Sequence, residues 1–186
     1  MSAWSEDRGF FPISIPLSEG TPGAELVLEA RRRASKFRQR RPMRGSFTNG
    51  RGMLVGLIGQ IVVRSTFGWE EIDAIEYDLR DRDALVEVKS KTTTVEPLPH
   101  HHASVAASSF HQQATNLVFC RVQVAYNPDP KKPIAPQKLW ILGWLSREEF
   151  FDRSALVRKG EMDGNYAARV DCRSVQAVEL RRLVKP

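Results

Sequence analysis

The sequence predicts a single α/β domain in which a mixed central β-sheet is flanked by helices. Three observations lead there. Glu76 to Lys91 reads as two short strands around the polar turn Asp81-Arg82-Asp83, and the second strand alternates Val86 and Val88 with Glu87 and Lys89. Residues 50–67, just before it, carry an apolar stripe at helical spacing. Leu117 to Tyr126 is rich in Val, Phe and Cys, the pattern of a buried strand.

Taken in order, residues 1–22 are rich in Pro, Ser and Gly and read as an extended N-terminal arm, either loosely ordered or with its aromatics packed on the core. Residues 23–41 are expected to be helical, with Leu26, Val27, Ala30, Ala34 and Phe37 on one stripe and Pro42 ending the run. Residues 50–67 form the second helix, capped by Asn49, with Met53, Leu54, Leu57, Ile58, Ile61 and Ser65 sharing a face. Gly56 and Gly59 each cost about 1 kcal/mol relative to alanine, which points to close approach of a sheet or a ligand backbone. Strands follow at Ile72 to Leu79 and Ala84 to Lys91, the latter extending toward Val95 before Pro97 and Pro99. A third helix is expected over 104–115, with Val105, Ala106, Phe110 and Ala114 facing inward. After the strand ending at Tyr126, Asn127 to Pro133 is a turn-rich loop. Leu139 to Leu145 is a strand, and Ser146 with Glu149 forms a capping box for a short helix. Lys159 to Tyr166 reads as a loop, Ala168 to Cys172 as a strand and Val175 to Leu183 as a terminal helix. The helix at 23–41 and everything after residue 146 are expected to lie outside the core.

Composition bounds the rest. The chain has 186 residues, 41% of them hydrophobic and 27% charged, enough for one domain with a full core and ordinary for a soluble globular protein. No apolar run reaches transmembrane length, and Met1-Ser2-Ala3-Trp4 does not open a signal peptide, so a cytoplasmic protein is expected. Cys120 and Cys172 stand in strand-like apolar settings and are expected to be buried free thiols. The net charge of +6 and pI near 9.6 favour polyanionic partners. The charge is concentrated: Arg31, Arg32, Arg33, Lys36, Arg38, Arg40 and Arg41, followed by Arg44 and Arg51. Arginine's planar fork suits phosphate, and such contacts give affinity without sequence preference. With Lys91 these residues are the candidate nucleic-acid contacts; a solvated helix face is the alternative.

The hairpin aims Asp78 and Glu87 at one place. Two carboxylates about 4 Å apart repel by ~4 kcal/mol at an effective dielectric of ~20. A divalent cation removes that repulsion, and carboxylate and carbonyl oxygens suit Mg²⁺ or Mn²⁺. Asp78, Glu87 and the carbonyl of Val88 are the candidate metal ligands. Lys89 would face an attacking water or a phosphate oxygen, equipment for phosphodiester hydrolysis.

Asp78 followed by Glu87-Val88-Lys89 resembles the signature of the PD-(D/E)xK nuclease superfamily, with Tyr77 where a proline usually stands. The likeness covers roughly Gly50 to Leu145 and is closest to small PD-(D/E)xK proteins carried by phages. It implies a restriction-endonuclease-like core at about 50–145 within a domain spanning 23–186. It further implies a Mg²⁺- or Mn²⁺-dependent deoxyribonuclease in phage or prophage DNA processing, recombination or packaging, working in the host cytoplasm. DNA is the implied partner, and a homodimer or a phage protein partner is compatible. Gly56-Leu57-Ile58-Gly59-Gln60 resembles the first helix of the superfamily core, where a glutamate often stands at Gln60. That makes Gln60 a candidate catalytic position, occupied here by an amide. Some branches use a glutamine after the ExK strand to steady the site. Gln112 and Gln113 are both candidates, and exposed polar residues at a helix end are the alternative.

His100, His101 and His102 follow two prolines, and three adjacent histidines cannot converge on one ion, so a surface or substrate-facing loop is expected. Two other functions remain open: a non-catalytic nucleic-acid-binding or structural protein on the nuclease fold, favoured by Gln60, and an assembly protein that uses its arm and basic helix on partner proteins.

Overall fold

The computed structural model describes residues 3–38, 51–72, 77–125, 133–164 and 166–185. The chain opens with two strands, β1 (Trp4–Arg8) and β2 (Ile13–Pro16), then two long helices, α1 (Pro22–Arg38) and α2 (Arg51–Phe67). Next come β3 (Glu70–Glu71), β4 (Leu79–Asp81), β5 (Ala84–Thr93) and β6 (His102–Ala106), then a 3-10 turn at Ala107–His111. After β7 (Asn116–Val124) and β8 (Pro136–Ser146) stands the short helix α3 (Arg147–Arg153). The chain closes with β9 (Ala155–Val157), β10 (Met162–Asp163), β11 (Tyr166–Ala167), β12 (Cys172–Gln176), a 3-10 turn at Ala177–Glu179, and β13 (Arg181–Leu183).

These strands form a mixed eight-stranded sheet in the order β1-β13-β8-β7-β5-β4-β3, with β2 also on β8. Among the described pairs only β5 and β7 run parallel; the others are antiparallel. A three-stranded sheet, β6-β12-β9, and the hairpin β10-β11 stand beside it. Among the described residues no helix is long and apolar enough to cross a membrane.

Two cores lie on opposite faces of the sheet. Val86 and Val88 of β5 and Val118, Cys120 and Val122 of β7 pack with α2 and, beyond it, α1. Leu117 and Phe119 of β7 pack instead with Trp140, Leu142, Phe150, Val175 and Leu180. This is the period-2 alternation of strands buried on both sides. Helix α2 is covered on two sides, by the sheet and by α1. Val55, Ile58, Ile61, Val62 and Val63 are therefore all buried, in place of the single expected stripe, and Ser65 is exposed. A Cβ at Gly59 would overlap Ser90 Oγ and stand 3.0 Å from Ser90 Cβ, so this glycine is where α2 meets β5. Gly56 has nothing within 4 Å of that position, and close approach does not explain it.

Several elements differ from the sequence reading. The expected helix over 104–115 is a strand, β6, and a 3-10 turn. Within β6 the buried Ala103 and Val105 stand two residues apart, the spacing of a strand face, and pairing with β12 from His102 to Ala106 sets the strand. The expected C-terminal helix is β12, a 3-10 turn and β13, because this segment supplies partners to β6, β9, β8 and β1. The expected loop at 159–166 holds the β10-β11 hairpin. The N-terminal arm is part of the sheet: Trp4 stacks on Trp69 at 4.8 Å and meets Trp144 edge-on at 4.7 Å. Cys120 and Cys172 are buried free thiols, as expected. The Asn49 cap and residues 127–132 of the expected loop lie outside the described residues.

Candidate active site

The hairpin forms as its sequence suggests. Leu79 pairs with Val86 and Asp81 with Ala84, leaving a two-residue turn in which Arg82 takes the left-handed φ of 54°. One step beyond Leu79, the Asp78 amide donates to the Val86 carbonyl at 2.9 Å. The next donor on β5 is the Val88 N–H. It is met by Asp78 Oδ2 at 2.8 Å, a side chain in place of a ladder carbonyl. A strand residue points its N–H and C=O to the same side, so the Val88 carbonyl shares that side with Asp78. Trp4 Nε1 donates to Asp81 Oδ2 at 2.7 Å and ties β1 to the turn of this hairpin.

On the next residue Glu87 is buried, and Lys89 Nζ reaches its Oε1 at 2.6 Å. Gln112 closes the triangle: its Oε1 accepts from Lys89 at 2.9 Å and its Nε2 donates to Glu87 Oε1 at 3.1 Å. Gln112 stands at the end of the 3-10 turn, and Thr115 just after it is fixed to Leu85 by backbone and side-chain bonds at 2.8, 3.0 and 3.1 Å. Between the two candidate glutamines, Gln112 enters the cluster and Gln113 is exposed. Burial and then the charge on Glu87 push the Asp78 carboxyl up to about 7, against the Val88 N–H and Lys89, which pull it down.

This donor set suits a hard cation. A buried carboxyl with a second acid beside it gains from a divalent ion that offsets the charge of both, and the Val88 carbonyl adds a neutral oxygen. Among the described residues no group of three His, Cys, Asp or Glu is assembled. Two acids with neutral oxygens match Mg²⁺ that keeps several of its waters.

Gln60 lies beside this hairpin. Its Nε2 stands 3.5 Å from the Asp78 carbonyl and 3.5 Å from Glu71 Oε1. Glu71 belongs to an ion-pair network that the sequence does not announce. Arg64 Nη1 reaches Glu71 at 2.6 Å, Arg64 Nη2 reaches Glu29 at 3.0 Å, and Arg33 holds Glu29 at 2.5 Å and also Glu71. Arg33's hydrogen bond holds the Glu71 carboxyl below the usual range despite its partial burial. The Glu29–Arg33 pair is legible as an i, i+4 couple; nothing local marks Glu71 as its partner.

The basic residues divide. Arg33 is committed to this network, and Arg31 Nη2 donates to the Ile134 carbonyl at 3.2 Å. Arg32 and Lys36 are exposed on α1. Arg40, Arg41 and Arg44 lie outside the described residues, as do the side chains of Arg38 and Arg51. Lys91 sits two residues beyond Lys89 on the same strand face, hydrogen-bonded to Ser104 Oγ and, at 2.5 Å, to the Tyr166 hydroxyl.

Lys91 belongs to a second polar cluster that sequence reasoning also missed. Asp163 is fully buried and accepts from Ser104 Oγ at 3.0 Å, Ser174 Oγ at 2.6 Å and Tyr166 OH at 2.5 Å, with His102 Nδ1 at 2.6 Å. Burial works to raise its carboxyl, but these bonds and Lys91 outweigh it and set Asp163 at about 2. Burial and the Arg121 charge push Lys91 down to about 8. His102 is thus a strand residue on a buried carboxylate, while His101 Nδ1 accepts from the Leu98 amide at 3.1 Å. In sequence Asp163 sits just before a glycine and looks like an exposed turn. No protein-family model matches the chain, and no curated protein matches it in sequence.

Proposed function

We propose that the protein is a metal-dependent nuclease of the PD-(D/E)xK type that hydrolyses DNA phosphodiester bonds, with a role in phage or prophage DNA processing, recombination or packaging. One observation carries the reading: a single hairpin brings Asp78 onto the Val88 amide at 2.8 Å while Glu87, Lys89 and Gln112 close a hydrogen-bonded triangle on the adjoining residues. The order of helix α2, hairpin β4-β5, a crossover and the parallel strand β7 supports a restriction-endonuclease-like core around it, with β6 and a 3-10 turn as the crossover.

In this reading Asp78, Glu87 and the Val88 carbonyl hold Mg²⁺ or Mn²⁺. The bound cation supplies an acidified water and neutralises charge on the phosphate. Lys89 orients the water and stabilises the charge that develops in the transition state. Gln112 fixes Lys89 and Glu87 in one geometry, so the ammonium need not be organised during the reaction. Gln60 steadies the Asp78 backbone. Arg32 and Lys36 offer sequence-independent phosphate contacts.

The test is cleavage of labelled linear, circular, single-stranded and four-way-junction DNA with Mg²⁺, Mn²⁺ or EDTA. Asp78→Ala, Glu87→Ala and Lys89→Ala should each abolish cleavage in folded protein, and EDTA should do the same. Full activity in Lys89→Ala or Glu87→Ala removes this site from consideration. A non-catalytic nucleic-acid-binding or assembly role is the second reading, favoured by the amide at Gln60. Under it, Mn²⁺ would not bind and no substrate would be cut.

A further inference from the structure

We infer that Tyr166 is a stacking platform for an unpaired nucleobase, placed one nucleotide step from the candidate cleavage site, so that the substrate is single-stranded or locally unpaired at the scissile phosphate. The inference rests on the nuclease reading for its cleavage site; the platform itself is argued from the geometry around Tyr166.

Tyr166 opens β11 and is 41% exposed although its hydroxyl is engaged. That hydroxyl lies 2.5 Å from Asp163 Oδ2, 2.5 Å from Lys91 Nζ and 3.3 Å from Ser104 Oγ. Asp163 is in turn held by Ser174 and His102, so one end of the ring is locked to two sheets. The ordering cost of a stacking partner is thereby met before any ligand arrives. Lys91 Nζ is 4.9 Å from the ring centroid yet 2.5 Å from the hydroxyl, so it approaches from the hydroxyl edge and does not cover a ring face. A half-exposed, rigid aromatic of this kind fits a base, since every base has a π-face.

Position supplies the rest. Lys89 and Lys91 are alternate residues of β5, about 7 Å apart along the strand. That is the order of one nucleotide step in an extended polynucleotide. Lys91 and Arg121 place two cations around the single Asp163 carboxylate, an excess of positive charge beside the ring. A phosphate beside Lys91 with its base on Tyr166 would continue the strand whose scissile phosphate meets Lys89. Paired bases in a duplex are stacked on one another and cannot reach the ring.

The test measures binding in EDTA, where cleavage does not intervene. Wild-type protein is titrated with DNA and RNA 12-mers carrying one abasic site at each position in turn, and with the matching duplex. One position is expected to lose affinity by roughly 5- to 150-fold, the size of a single base–aromatic contact. Tyr166→Leu should lose the same factor on intact single strands, be indifferent to the abasic site, and bind duplex as before. Tyr166→Phe, which keeps the ring, should retain the abasic sensitivity. Equal affinity for every abasic oligonucleotide, or an equal loss on single strand and duplex in Tyr166→Leu, overturns the platform. The abasic scan on the wild-type protein needs no variant to fold. Cleavage of intact duplex DNA with a silent abasic scan would sink the platform and leave the nuclease. A positive scan without cleavage in any metal would do the reverse.

Discussion

At Gln60 the amide Nε2 stands 3.5 Å from two acceptors, the Asp78 carbonyl and Glu71 Oε1. A glutamate there could donate to neither, and it would add a third negative charge to Asp78 and Glu71. Gln60→Glu is therefore expected to destabilise the metal-free protein by about 1–3 kcal/mol, a fall in Tm of roughly 2–12 °C for a chain of this size. The same charge makes a better cation site. Mn²⁺ should raise the Tm of Gln60→Glu by more than it raises that of the wild type. Melting curves with Mn²⁺ and with EDTA decide it. An equal Mn²⁺ response in both proteins would place Gln60 away from the cation. The neutral amide thus bridges the Asp78 backbone carbonyl and the Glu71 carboxylate without adding charge beside either.

Helix α2 carries two glycines with opposite expectations. Gly59→Ala forces a Cβ into Ser90 on β5 and should cost about 1–3 kcal/mol by overpacking. Gly56→Ala meets open space and should stabilise the helix by up to about 1 kcal/mol. Urea unfolding of the two variants tests the pair, and equal effects would contradict the packing of α2 on β5. Helix α1 divides in the same manner. Replacing Arg32 and Lys36 should flatten the salt dependence of duplex binding by about 0.9 in log–log slope for each phosphate that is no longer neutralised. Replacing Arg33 should instead lower stability, because it leaves Glu29 and Glu71 to share the single charge of Arg64. An unchanged slope in the Arg32 and Lys36 variant would mean that this face does not meet DNA. Much of this is legible in the chain. The β4-β5 hairpin announces itself through alternation and a polar turn, whereas the cost of a helical glycine marks Gly56 and Gly59 alike and only Gly59 meets the sheet. The segment from Ser104 is not legible, since Val105, Ala106 and Ala114 read as a helical stripe and only Ala103 and Val105 keep the spacing of a strand face. Its partner β12 lies some seventy residues away, and local pattern carries no trace of that pairing. Gln112 can be named from sequence only as one of two candidates, because the turn that aims it is set by Thr115 on Leu85.

At the scale of the molecule, Asp163 joins parts that the chain keeps far apart. Its carboxylate gathers His102 and Ser104 from β6, Ser174 from β12, Tyr166 from β11 and Lys91 from β5. The small sheet and the β10-β11 hairpin are thereby tied to the central sheet beside the candidate site. Such a carboxylate is costly to bury alone and strongly destabilising to remove once its partners depend on it, by roughly 3–5 kcal/mol for a broken buried pair. Its acidity gives the sign of the pH effect. The folded value near 2 lies below the ordinary value of 3.8, so the stabilising contribution is fully present above about pH 4 and fades as the pH falls through 2. Asp163→Asn keeps the shape and removes the charge, leaving Lys91 and Arg121 without their shared anion. Urea midpoints measured at about pH 6, 4, 3 and 2 should show the variant well below the wild type at the highest pH. The gap should narrow steadily below about pH 4 as the wild-type carboxylate takes up its proton. A constant gap across that range would mean that Asp163 acts through shape alone. No gap near neutral pH would mean that the two sheets are held together by their apolar faces without it.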